Sequence, residues 1–422
     1  MQKKLLSLFS GAGGMDLGFE GNFSILKSHL NLNINNDWIE KEFDNKVILK
    51  KTFFKVVFAN DILKPAYSSW VPFFENRGSN ENIFHTDSII DIVKQYYNKK
   101  FKFPENIDIL LGGFPCQDFS VAGKRQGFNS EQGHNGKKSC NFDIPNNENR
   151  GQLYSWMKEV VSITKPKVFY AENVKGLVSL GDVKTIIEND FKSIDDGYIV
   201  ISKVLNTATY GVPQNRERII FIGLNKKYLN STIIKLLEQN NIPNELNPFP
   251  SPTHYNQKSK ESNFSNEKLL IPYTTCSMAF DGLDEPNNTS DLAQKTYSKA
   301  KFCKGYQGNK EIELDYIAPT IRAEHHGNIE YRRLNIDNGG QYIKELKKYK
   351  ERRLTVRECA RLQTFPDDYE FVRKTFKNNP YPLSGSGAYK VIGNAVPPLF
   401  AYHLAKRLEF IWDKLFTNTI RT

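Results

Sequence analysis

A cysteine that follows a proline, just beyond an apolar run, is placed to react as much as to pack. Gly112-Gly113-Phe114-Pro115-Cys116-Gln117-Asp118-Phe119-Ser120 has this form, and it follows the apolar run Ile107–Leu111. Glycines and a proline hold such a thiol at the end of a strand. There, positive charge or a helix N-terminus can convert it to the nucleophilic thiolate. A lone cysteine is also commonly just a small buried hydrophobe. The residues alone leave both readings open.

Other candidates stand at similar places. Phe9-Ser10-Gly11-Ala12-Gly13-Gly14 follows the run that begins at Leu5, and its glycines allow backbone to approach a ligand. The dinucleotide pattern Gly-x-Gly-x-x-Gly is not met, because Asp16 stands where the third glycine belongs. That disfavours a pyrophosphate and favours the charged amino-acid portion of a ligand. Asp61 follows Val56–Ala59 and suits ribose hydroxyls, and Asp87 in His85-Thr86-Asp87-Ser88-Ile89 suits an adenine amino group. Either could instead be a helix cap. Glu172 follows Val168–Ala171 as a candidate acid or hydrogen-bond partner. Arg216 and Arg218 alternate with period two and should face one way, toward an anion or a polarised carbonyl. For these three a structural ion pair is the competing reading.

The elements that position these residues are legible from the apolar pattern. Leu5–Phe9, Val56–Ala59, Ile107–Leu111, Val168–Ala171 and Ile219–Gly223 read as buried strands, with amphipathic stretches such as Leu153–Ile163 between them. Continuous apolar runs alternating with helices predict a parallel sheet covered on both faces. Two polar stretches, about 21–51 and 130–149, read as insertions or mobile loops. Beyond about Asn225 the pattern becomes polar, proline-punctuated and irregular through about Lys350, which predicts a second, less regular domain. The charged run Lys344–Arg353 reads as a solvated helix face. Ala401–Leu415 has helical apolar spacing and should pack.

Composition narrows the classes. The chain has 422 residues and a formal charge of +11, a balance that suits a polyanionic partner. Its five cysteines are scattered and never in a Cys-x-x-Cys pair, which argues against a disulfide framework or structural zinc. His325-His326 lacks a third ligand at useful spacing, so no metal is expected. The N-terminus lacks the apolar stretch of a signal peptide, and no run reaches the length of a membrane span. A cytoplasmic protein is expected.

Taken in order, six segments resemble the motifs of the cytosine-5 DNA methyltransferase family. They are Phe9–Gly14, Gly112–Ser120, Lys167–Gly176, Gln214–Gly223, Arg353–Tyr369 and Gly393-Asn394-Ala395-Val396-Pro397-Pro398. Any one could arise by chance, whereas six in this order are specific. The resemblance spans Phe9 to Leu399. Adenine and N4-cytosine enzymes would carry an Asn/Asp/Ser-Pro-Pro-aromatic motif where Gly113-Phe114-Pro115-Cys116 stands.

The resemblance implies an α/β fold: a Rossmann-like S-adenosylmethionine-dependent methyltransferase sheet with a smaller irregular target-recognition domain. Residues 1–226, completed by 384–422, would be the catalytic domain, and 227–383 the recognition domain. The implied cofactor is S-adenosyl-L-methionine. Phe9, Gly11, Gly13 and Gly14 would line its methionine part. Asp61 with Ile62 would hold the ribose, and Asp87 with Ser88 the adenine. Pro115, Asn394 and Val396 would complete the pocket. Cys116 would be the nucleophile, Glu172 would grip the N3 and amino edge of cytosine, and Arg218 with Arg216 would stabilise the base and the active loop. Val121–Gly127 would close over the DNA, and Ala318–Gly327 looks like a base-reading segment. The implied partner is double-stranded DNA with a specific cytosine-containing site, flipped out for methylation. A restriction–modification setting with a cognate endonuclease, and a monomer, are the family's usual circumstances.

Three departures from the family's compact pattern are visible. The stretch from Gly14 to Asp61 is long, the position of Asp61 is more often Glu, and an extra polar piece precedes Arg150-Gly151-Gln152-Leu153. The alternatives are an RNA cytosine-5 methyltransferase of the same fold and a non-catalytic DNA-binding protein. The long region between Arg218 and Arg353 speaks against the first. The presence of Cys116, Glu172 and Arg218 speaks against the second.

Overall fold

The computed structural model describes residues 2–115, 153–195, 197–239, 242–259, 269–323, 329–343, 349–374 and 380–416. Among these, seven strands form the central sheet. They are β1 (Lys3–Leu8), β5 (Phe54–Asn60), β6 (Phe84–His85), β7 (Ile109–Gly112), β8 (Val168–Val174), β9 (Tyr198–Asn206) and β10 (Glu217–Asn225). The order is β6-β5-β1-β7-β8-β10-β9. The strands from β6 to β8 run parallel, and β10 runs antiparallel to both β8 and β9.

The five expected strands are present, with three corrections. Ile219–Gly223 lies in a strand that runs against its neighbours. β9, in which only Lys203 is exposed, and the two-residue β6 were not anticipated. β9 is an edge strand whose apolar run Tyr198–Ile201 is broken by Ser202-Lys203, and β6 is too short to show a run.

Period two explains the two-sided core. Leu5, Ile109, Leu111, Tyr170, Ile220 and Ile222 enter one apolar cluster. Leu6, Leu8, Leu110, Phe169 and Phe221 enter the other. The second layer is closed by α4 (Ile89–Tyr97), α5 (Leu153–Thr164) and α6 (Val183–Lys192). The first is closed by α1 (Gly14–Glu20), α3 (Lys64–Glu75) and α12 (Pro398–Phe416), the last being the expected C-terminal helix.

Residues 21–51 are not a loop. They form an antiparallel sheet of β2 (Ser24–Leu26), β3 (Ile39–Phe43) and β4 (Lys46–Leu49), with α2 (Leu32–Asn35) in between. Val47 and Leu49 are fully buried, and Trp38 packs edge-on against Tyr402 and His403 of α12. The second polar stretch, 130–149, lies outside the described residues.

Beyond β10 the elements are short, as expected. They are α7 (Ser231–Leu237), β11 (His254–Tyr255), β12 (Ile271–Pro272), α8 (Cys276–Ala279), α9 (Leu292–Lys295), β13 (Tyr331–Arg333) and β14 (Arg352–Arg353). The charged run that ends in β14 is not a solvated helix face where it is described. Arg352 and Arg353 are buried, 5% and 1% exposed. They precede α10 (Val356–Leu362), whose N-terminus carries a capping box between Thr355 and Glu358. α11 (Gly385–Asn394) leads into Pro397 and α12. No helix among the described residues is long and apolar enough to cross a membrane.

Candidate active site

The C-terminal ends of β1, β5, β7 and β8 meet at one edge of the sheet, so segments far apart in the chain converge there. After β1 the chain turns through Phe9, Gly11 and Gly13, all with positive φ (53°, 55° and 68°). Gly11 and Gly13 adopt such angles readily, whereas Phe9 does so at some cost. A Cβ on Gly13 would lie 2.6 Å from both Trp70 and Phe74. A Cβ on Gly14 would lie 2.1 Å from the carbonyl oxygen of Val396. Val396 therefore comes onto the glycine turn from the far end of the chain. A Cβ on Gly11, by contrast, would meet nothing within 4 Å, so the turn borders open space there.

Asp61 holds this turn. Its Oδ2 accepts from the Gly11 N–H at 2.9 Å, and its Oδ1 accepts from the Leu63 N–H at 2.8 Å. Burial pushes the Asp61 carboxyl above the usual range, against these bonds and the charge of Lys390. The turn before α3 and the ligand edge thus share one carboxylate, and its two candidate roles are not exclusive. Ile62 beside it is 46% exposed, and Asp87 is exposed. A groove lined by Ile62, Tyr67, Phe84, His85 and Thr86 runs along this edge. Asn60 anchors the loop that carries Asp87 and Ser88 by donating to the carbonyls of His85 and Asp87. Open space at Gly11, two carboxylates and exposed Ile62 suit an adenosyl amino acid: backbone for its charged end, oxygens for its hydroxyls, an apolar face for its ring.

Asp16 was noted only for what it excludes. It is buried, and accepts from Ser7 Oγ at 2.6 Å and Trp70 Nε1 at 2.7 Å. Burial pushes its carboxyl up to about 7, against both bonds. It braces the turn from behind.

At β8, Glu172 Oε1 lies 2.8 Å from Arg218 Nε of β10. Antiparallel pairing sets Ile220 opposite Glu172 and Arg218 opposite Val174, so the guanidinium reaches diagonally across the sheet. A Cβ on Gly113 would stand 3.3 Å from Glu172 Oε2. Asn173 Nδ2 donates to the Phe114 carbonyl at 3.3 Å. The Gly113–Pro115 turn is thus fixed against the carboxylate, and the next residue is Cys116. Cys116 itself, with Val121–Gly127 and residues 324–328, lies outside the described residues. Among the described cysteines, burial pushes Cys276 up to about 12 and Cys359 well above the usual range, so neither is a reactive thiolate.

Arg216 and Arg218 reach different partners. Arg216 is 1% exposed and donates to the carbonyls of Ile321, Gly393 and Asn394. It carries Asn394 and Val396 toward the site rather than facing Glu172. Gln214 and Gln363 continue this brace. Gln214 Nε2 donates to Gln363 Oε1, and Gln363 Nε2 donates to the Ile392 carbonyl. Neither glutamine was singled out in the sequence. Their signal was only that they fall within matching segments.

A family model described as C-5 cytosine-specific DNA methylase matches residues 3–409. The chain belongs to this family. Its reaction is therefore methyl transfer to C5 of cytosine in DNA. The Type II methyltransferase M.NgoFVII of Neisseria gonorrhoeae is 30% identical over 419 residues, which cover 96% of this chain and 86% of that protein. The Type II methyltransferase M.BspRI of Lysinibacillus sphaericus is 29% identical, covering 98% and 83%. Among solved structures, the Entamoeba histolytica methyltransferase EhMeth aligns with a TM-score of 0.53 at 14% identity, over 98% of this chain and 99% of that one. The S. pombe Dnmt2 methyltransferase aligns at 0.51 and 15%, over 97% and 99%. At such identities these two establish the methyltransferase fold alone.

Proposed function

We propose that this methylase uses S-adenosylmethionine to methylate one cytosine in a short specific duplex sequence, through a covalent bond from Cys116 to C6 of the base. The observation that carries the reading is the Glu172–Arg218 pair, set against the turn that leads directly into Cys116. Phe9, Gly11, Gly13 and Gly14 would hold the amino-acid end of the cofactor, with Asp61 and Ile62 at its ribose and Asp87 and Ser88 at its adenine. Pro115, Asn394 and Val396 would close the pocket. When bound, the cofactor supplies a methyl group on a positively charged sulfur.

The protein's own residues do the rest. C5 of cytosine is a poor nucleophile in an aromatic ring. The Cys116 thiolate adds to C6, and the ring electrons move so that C5 becomes enamine-like and N3 takes a proton. Glu172 holds the N3 and amino edge where that proton arrives. Arg218 fixes the carboxylate, and Arg216 acts from behind through the backbone carbonyls it grips. Once C5 is methylated, it loses its proton to a base, the thiolate leaves and N3 gives its proton back to Glu172, restoring the ring. The base must leave the duplex to meet Cys116, at a cost of roughly a few kcal/mol.

The division into a catalytic part (1–226 with 384–422) and a recognition part (227–383) belongs to the same proposal. So do a monomer, a cytoplasmic setting, and a restriction–modification system with a cognate endonuclease, as the names of the relatives suggest. The test is bisulfite sequencing of plasmid DNA from cells expressing the chain or its Cys116→Ala variant. Protected cytosines in one short context, lost in the variant while DNA binding persists, are expected. Protection that survives Cys116→Ala would refute the nucleophile. Methylation of RNA in place of DNA would move the substrate to the related RNA enzymes.

A further inference from the structure

Between Asp291 and Glu311 the chain holds five lysines and no carboxylate. Many lysines elsewhere in the protein are paired, as Lys46 is with Asp367, Lys55 with Glu20 and Lys167 with Asp108. Here Lys301, Lys304 and Lys310 are exposed and make no ion pair among the described residues. Lys299 is exposed too, and rests its Nζ 3.3 Å from the centroid of the Tyr297 ring. Uncompensated like charges repel one another unless a partner of opposite sign arrives.

Exposed lysines on a slack loop would mean little, but the backbone beneath these is fixed. Buried Asn309 donates from Nδ2 to the carbonyls of Cys303, Tyr306 and Gln307. Buried Arg353 donates to the carbonyls of Ala300, Lys301 and Gly308 and to Asn309 Oδ1. Gly305 and Gly308, with φ of 86° and 77°, make the tight turns on either side of Tyr306. Tyr306 is 66% exposed at the tip. The loop is therefore preformed, and it presents an aromatic ring among positive charges.

It is also tied to the active-site edge. Arg322 Nη1 donates to Gln307 Oε1 at 2.6 Å. A Cβ on Gly393 would meet the Arg322 backbone at 2.1 Å. The carbonyl of Ile321, next in the chain, accepts from Arg216.

We infer that residues 299–310 form a rigid clamp on the backbone of the substrate duplex, with Lys301, Lys304 and Lys310 on phosphates and the Tyr306 ring on the sugar or base edge beside them. This rests on double-stranded DNA being the substrate. Ammonium groups on phosphates position a duplex without reading its sequence. The clamp thus differs in kind from the base-reading role expected of Ala318–Gly327. Because the loop is held before DNA arrives, little ordering is needed on binding.

The test compares the full chain with a triple variant, Lys301→Gln, Lys304→Gln and Lys310→Gln, and with Tyr306→Ala. Kinetics on a single-site duplex are measured over a range of salt. The triple variant should raise KM for DNA by about tenfold or more, leave kcat and S-adenosylmethionine binding unchanged, and flatten the log–log salt dependence by about 2 to 3. Tyr306→Ala should weaken binding with the salt slope intact, since the ring is uncharged. Cys303, exposed in the same loop, gives a readout on the unaltered protein. Saturating duplex should slow maleimide labelling of the peptide that contains it. Wild-type KM and salt slope in the triple variant, or unchanged Cys303 labelling, would overturn the clamp. If the wild type methylates no duplex at all, the substrate reading fails. Fluorescence anisotropy with any duplex then still decides whether these lysines carry the binding.

Discussion

The sheet half and the irregular half of this protein both bury apolar side chains but satisfy their backbones differently. In the sheet, Leu6, Leu110, Phe169 and Phe221 are fully buried and apolar, and the strands satisfy one another's backbone. In the irregular half, four arginines from one short segment take that place. Arg352 binds Glu358 through two bonds of 2.8 Å, with Glu285 nearby. Arg353 gathers the carbonyls of the 300–309 loop. Arg357 reaches Asp291 and the carbonyls of Pro366 and Tyr369. Arg361 reaches Asp367 and the carbonyls of Ala279 and Asp281. The lesson concerns backbone satisfaction. Regular elements pair their own N–H and C=O groups, whereas loops leave carbonyls over, and a guanidinium with five donors can take several at once.

The sharpest way to break this comparison is Arg353→Ala. It strands five acceptors, three of them buried, and should cost about 3 to 5 kcal/mol. Hydrogen exchange should rise in 299–330 and stay slow in β7, β8 and α5. Equal loosening of both halves would mean that they are stabilised as one. Next in size is Gly14→Ala, which tests the contact between the two ends of the chain. The new methyl has no room beneath the Val396 carbonyl, and overpacking of this kind costs about 1 to 3 kcal/mol. Calorimetry should show cofactor affinity reduced about tenfold or more, with the far face of the sheet unaffected. Unchanged affinity would detach Val396 from the pocket.

Acid and base should act on different regions. Asp16 is raised to about 7, so the folded state holds that proton more tightly than the unfolded chain does. Its contribution is full below about pH 4 and is lost as the pH rises through about 7. Burial lowers His29 to about 4, and His254 and His403 to about 3, in the seam between the 21–51 sheet, the irregular half and α12. There the unfolded chain takes up protons first, so stability falls as the pH drops below about 6.5. Asp16→Asn should remove the alkaline decline and leave the acid limb in place. Parallel urea midpoints for both proteins from pH 5 to 8 would sink the assignment. The smallest effect should come from Lys46→Ala, which opens a partly exposed pair with Asp367 and costs about 1 kcal/mol or less in urea titrations.

Legibility followed the same division. The five strands at the centre were readable because burial on both faces demands unbroken apolar runs. β9 was not, because Ser202-Lys203 breaks its apolar run after four residues. The 21–51 sheet hid behind Asn and Lys. Its signal was the apolar run Val47-Ile48-Leu49 after a two-residue turn at Asp44-Asn45, where Asp44 has a φ of 42°.

The sequence by itself determined the class of this protein. Gly11, Gly13, Cys116, Glu172, Arg218 and the Gly393–Pro398 segment are local patterns, and their order along the chain identifies the family. Tertiary structure alone decided which carboxylate meets which guanidinium, that Arg216 serves the backbone of Gly393, that Val396 lies over Gly14, and that Arg353 fastens the lysine loop. These contacts join residues tens to hundreds of positions apart. No local periodicity encodes them, because they exist only once the sheet has brought its strand ends to one edge.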